Sequence, residues 1–83
     1  MERKVIREIT KLIEKNLHLR KCRSSIDTLG NFRFYKWENK IYLYVGIGNQ
    51  NYEENFNNIK ELLLINGYNI KEANTKYHLY LEN

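Results

Sequence analysis

Asn39-Lys40-Ile41-Tyr42-Leu43-Tyr44-Val45-Gly46-Ile47-Gly48 carries two classes of side chain in alternation. Ile41, Leu43, Val45 and Ile47 fall on one side of an extended chain, and Tyr42 and Tyr44 on the other. A helix would scatter the same residues around its circumference. The segment therefore reads as a central strand, and β-branched and aromatic residues favour that conformation. The rest of the chain then has one task, which is to cover the aliphatic side.

Immediately before it, Asn31-Phe32-Arg33-Phe34-Tyr35-Lys36-Trp37 is strand-like, with an alternation that slips around Phe34-Tyr35. A bulge or a strand aromatic on both sides accounts for the slip. Glu38-Asn39 leaves room only for a tight antiparallel turn, and Asn39 accepts the positive φ such turns need. Further upstream, Ser24 to Gly30 has turn chemistry in Asp27-Thr28-Leu29-Gly30, with Ile26 and Leu29 expected to tuck inward. The chain opens with a helix from about Glu2 to Leu19 or a little beyond. Its Val5, Ile6, Ile9, Leu12, Ile13 and Leu17 form one apolar stripe.

Downstream, Gly46 and Gly48 end the central strand. Asn51 and Glu54 have the spacing of a capping box for a second helix. Tyr52, Phe56, Ile59, Leu62 and Leu63 face inward on it, and Gly67 is its stop. Leu62-Leu63-Leu64-Ile65 is apolar all round, so either this helix end is wedged deep or Leu64 meets a partner. Tyr68 to Ala73 is a weaker strand with Ile70 inward. In Lys76-Tyr77-His78-Leu79-Tyr80-Leu81, Tyr77, Leu79 and Leu81 face in and His78 and Tyr80 face out.

The order is helix, hairpin, helix, hairpin. An α+β, two-layer sandwich satisfies it, with a four-stranded antiparallel sheet and both helices on one face. Residues 1–83 form a single small domain. Lys40 to Val45 echoes Lys76 to Leu81 at an offset of 36 residues, so two pseudo-repeats, about 1–48 and 49–83, are a further reading. The helix between the hairpins separates this order from the double-stranded-RNA-binding type, and the helix at the start separates it from the RNA-recognition type.

The sheet's second face carries what the fold does not need. Tyr42, Tyr44, His78 and Tyr80 look outward, and Arg33, Tyr35 and Trp37 join them if the first strand keeps register. Tyrosine, tryptophan and arginine concentrate at interface centres. The same mixture also stacks bases, with Arg33, Lys36 and Lys71 drawing the backbone. Charge is uneven. Residues 1–40 carry 11 basic and 5 acidic side chains, a balance of +6, and residues 41–83 carry 3 and 5, a balance of −2. Lys4, Arg7, Lys11 and Lys15 make a basic ridge on the first helix. Arg20, Lys21 and Arg23 continue it past the helix end, where cations also complement the dipole.

Several chemistries are excluded. The chain has one cysteine, Cys22, and two histidines, so no zinc site closes. His18 and Cys22 stand four apart, a chance spacing. Gly46-Ile47-Gly48-Asn49 lacks the spacing and the lysine of a phosphate loop. Glu38-Asn39-Lys40 resembles the Glu-x-Lys of metal nucleases but sits in a turn, with only Asp27 as companion. No cofactor, metal or catalytic set is expected in a domain of 83 residues, which has little room for a deep cleft. No run of about 18 apolar residues crosses a membrane, the N-terminus lacks a signal-type apolar region, and the lone cysteine fits a reducing cytoplasm. The leading expectation is a non-enzymatic protein-interaction module. It is an inhibitor, an accessory protein of a virus or mobile element, or a homodimer, using the aromatic face. The alternative is a nucleic-acid-binding protein using the basic helix and the aromatic-basic strands.

Overall fold

The computed structural model describes residues 2–24, 26–47 and 51–82. Six elements follow in the order α1 (Glu2–Leu17), β1 (Arg33–Trp37), β2 (Lys40–Tyr44), α2 (Tyr52–Ile65), β3 (Ile70–Glu72) and β4 (His78–Leu81). All neighbouring strands pair antiparallel, and the sheet order is β1-β2-β4-β3. The chain is thus an α+β protein of two helices and one four-stranded sheet.

The core lies between the helices and one face of the sheet. Ile9 and Ile13 of α1 and Phe56, Ile59 and Leu63 of α2 meet Phe32, Leu43, Val45, Leu79 and Ile70 from the sheet side. Ile9, Ile13, Phe32, Val45 and Ile59 have no exposed surface at all. Each such side chain contributes roughly 1.5–3 kcal/mol of transfer free energy. Helices as short as α1 and α2 are marginal in water by themselves, so these contacts, not helix propensity, hold them.

The local devices that shape the chain are visible. Glu38 has φ 50° and Asn39 φ 64°. Two successive positive angles make the β1–β2 turn a type I′ turn, matched to strand twist. At the end of α2, Gly67 (φ 83°) donates to the Leu64 carbonyl and Tyr68 to the Leu63 carbonyl. That pair of bonds is a Schellman stop. His18, at φ 57°, takes the equivalent left-handed position after α1.

Some expectations are corrected. Strand β1 is unbroken from Arg33 opposite Tyr44 to Trp37 opposite Lys40, so it holds no bulge. It is the two-sided aromatic strand, with Phe32 and Phe34 toward the helices. Asn51 makes no side-chain bond to the backbone of α2; its amide instead donates to the Glu54 carboxylate at 2.8 Å. Ile26 and Leu29 point outward, 87% and 80% exposed. The reason is Asp27 between them, whose carboxylate accepts from the backbone N–H of Arg23 and Leu29 and so fixes the turn with its neighbours outside. Gly48 and Asn49, singled out at the strand exit, lie outside the described residues.

Candidate interaction surface

Strand parity decides which side chains share the uncovered face. Arg33, Tyr44 and His78 form one row across the sheet. Tyr35, Tyr42, Tyr80 and Lys71 form the next, and Trp37 and Lys40 the third. All seven residues expected on this face are therefore brought together. The rings are packed on one another. Tyr35 and Tyr42 stack with centroids 5.1 Å apart and planes 10° apart, and Tyr44 and His78 stack at 4.4 Å and 22°. Trp37 meets Tyr42 edge-on at 6.0 Å, and Tyr80 leans on Tyr42 at 5.6 Å. Trp37 remains 58% exposed.

Polar contacts hold the platform at its margins. The Tyr44 hydroxyl donates to the Gly46 carbonyl at 2.7 Å. His78 Nδ1 lies 2.8 Å from the Lys76 carbonyl. A carbonyl can only accept, so Nδ1 carries the proton. The Arg33 guanidinium sits 5.5 Å from the Tyr44 ring centre, and Lys40 Nζ 4.5 Å from that of Tyr80. Both are cation–π distances. Burial, then the neighbouring Tyr42, pushes the Tyr35 phenol above its ordinary value, so it stays a neutral hydroxyl. Each aromatic pair is worth about 0.5–1.5 kcal/mol beyond area burial.

Comparison with family models, with curated proteins and with solved structures finds no match. The surface must be read from its own chemistry.

Of the basic residues, Lys4, Arg7, Lys11, Lys15, Lys21 and Arg23 are exposed, and Arg20 is half-buried. Arg20 is committed to the fold: its guanidinium pairs with Asp27 at 3.1 Å, and its backbone N–H donates to Asn31 Oδ1 at 2.9 Å. The thiol of Cys22 is buried beneath Gly30, and burial first, then the field of Asp27, raises its pKa. It is a packed thiol whose protonated form is favoured. The helix ends at Leu17, so His18 and Cys22 share no helical face. Among the described residues no group of three or more His, Cys, Asp or Glu side chains is placed to hold a metal ion, and no helix is long and apolar enough to cross a membrane.

Two features escaped the sequence reading. Lys40 belongs to the aromatic face, and the parity of 40, 42 and 44 was sufficient to place it there. The other is a groove of about 480 Å³ bounded by α1, residues 21–24 and β1, lined by Ile6, Lys21, Arg23, Arg33 and Tyr35 among others. It arises because residues 20–22 run beside β1, with Lys21 bridged in parallel to Phe32 and Cys22 N–H donating to the Phe32 carbonyl at 2.8 Å. No local periodicity announces such a pairing.

Proposed function

We propose that this chain is a non-enzymatic protein-interaction module that engages its partner through the aromatic sheet face. The observation that supports it best is the pre-stacked set Tyr35–Tyr42 and Tyr44–His78, bordered by the exposed Trp37. Rings already ordered against one another lose little conformational entropy when a partner arrives. Stacking takes one face of each of these rings, so the platform offers its remaining faces, edges and hydroxyl groups to a partner. An inhibitor or accessory role in the cytoplasm goes with this reading, and a homodimer is one form the partner can take.

The test is affinity capture from the native host after nuclease treatment, with mass in solution measured by light scattering. Trp37→Ala and Tyr44→Ala should each lose the captured partner or the dimer while keeping a cooperative melt. Unchanged capture and unchanged monomer mass across both variants would reject the proposal.

A second reading is nucleic-acid binding by the basic N-terminal half. What favours it is the groove, since it places Lys21, Arg23 and Arg33 beside Tyr35.

A further inference from the structure

The groove beside β1 does not stand alone. A second surface depression, of about 410 Å³, is lined by Arg3, Ile6, Arg7, Thr10, Lys11 and Glu14, and by Lys21. The two share Ile6 and Lys21, so they form one track from the outer flank of α1 to the margin of the aromatic face. Six cations line that track, against the single carboxylate of Glu14. Among the described residues the side chains of Arg3, Arg7, Lys11, Lys21 and Arg23 form no ion pair. Asp27, the nearest acidic residue of the adjoining loop, is occupied by Arg20 and by two backbone N–H groups.

Arg3, Arg7 and Lys11 succeed one another by four residues, about 6 Å along the helix axis. That is close to the interval between phosphates on an extended single strand. At the far end the track reaches Tyr35 and, beyond it on the same face, the exposed Trp37. A basic channel leading to aromatic rings is the arrangement that holds single-stranded nucleic acid, with cations following the backbone and a ring taking a base. An acidic peptide would use the cations but brings no base to lay on a ring at the end of the track.

We infer that this track binds the backbone of single-stranded nucleic acid, with Lys21 and Arg23 as phosphate contacts at its centre and Tyr35 or Trp37 stacking a terminal base. The inference rests on the second reading above for its ligand class and adds the path, the strandedness and the residues.

Fluorescence anisotropy tests it with labelled single-stranded DNA and RNA of about ten nucleotides, a length within the usual site size. The same sequence as a duplex and a polyglutamate competitor complete the set. Wild type should bind both single strands at low salt and the duplex more weakly. Lys21→Gln and Arg23→Gln should each reduce the slope of log affinity against log salt by about 0.7. Lys21→Glu with Arg23→Glu should abolish binding. Lys60→Glu with Lys76→Glu, an equal change in charge away from the track, should leave it nearly intact. Lys21 and Arg23 are both exposed, and an unchanged melting curve for their double variant confirms folding. Oligonucleotides that bind wild type and that double variant alike overturn the track but leave nucleic-acid binding standing. Equal affinity for the duplex overturns the single-strand assignment. No oligonucleotide binding at low salt, or capture of polyglutamate in its place, overturns the reading and the track together.

Discussion

Asp27 gathers two backbone N–H groups and the Arg20 guanidinium on one carboxylate. The bond from Arg23 N–H contributes most, then Arg20, then Leu29 N–H, and together they hold the carboxyl well below the usual carboxylate range. The folded chain thus releases this proton more readily than the unfolded chain, so the ionised form favours folding. The contribution is complete above the ordinary aspartate value, near pH 4, and is lost as the pH falls from there toward the folded value. Asp27→Asn should therefore lower the urea midpoint at pH 7, and the gap to wild type should close below about pH 4. A gap of constant size down to about pH 2 would mean that the loop is held by packing and not by this charge. From sequence the turn was legible but its sidedness was not. Turn chemistry announces that Asp27 bonds its neighbours, but Ile26 and Leu29 look like core residues until the bonds that turn them outward are known.

Two glycines at the ends of elements show different physics. Gly67 sits at φ 83° with no atom within 4 Å of where a Cβ would stand, so its role is conformational. Gly30 has no such angle, but a Cβ there would lie 2.6 Å from Cys22 Sγ and 2.7 Å from Cys22 Cα. Gly67→Ala should cost about 1 kcal/mol, and Gly67→Asn less, since asparagine tolerates the left-handed region. Gly30→Ala should cost about 1–3 kcal/mol or more, because backbone must move, and Gly30→Asn should be no better. Thermal melts of the four variants check both statements. Equal losses at the two sites would show that Gly30 does not meet Cys22 as described. The helix stop at Gly67 was legible because its signal is local. The closeness of Gly30 to Cys22 was not, since it follows from residues 20–22 lying beside β1, a pairing made across a loop.

Over the whole molecule, period-2 alternation and one apolar stripe on each helix were enough to give the layers, the hairpins and the bare face. They work because a sheet with helices on one side has a single way to hide its aliphatic residues. Strand order was not legible, because hairpin β3–β4 can dock on either edge of β1–β2 without altering any alternation. The structure places β4 next to β2, with Leu43 opposite Leu79 and Tyr42 opposite Tyr80, and so makes two aromatic halves into one surface. Function is readable only as the chemistry of that surface and of the basic track at its margin. Hydroxyl-radical footprinting read residue by residue by mass spectrometry tests the arrangement most directly, because it compares intrinsically reactive rings on the two faces in one sample. In dilute protein, Trp37 and Tyr35 should oxidise rapidly while Phe32 and Phe56 stay protected until the chain unfolds. Protection of Trp37 and Tyr35 together with early oxidation of Phe32 would place the helices on the other side of the sheet and contradict the account.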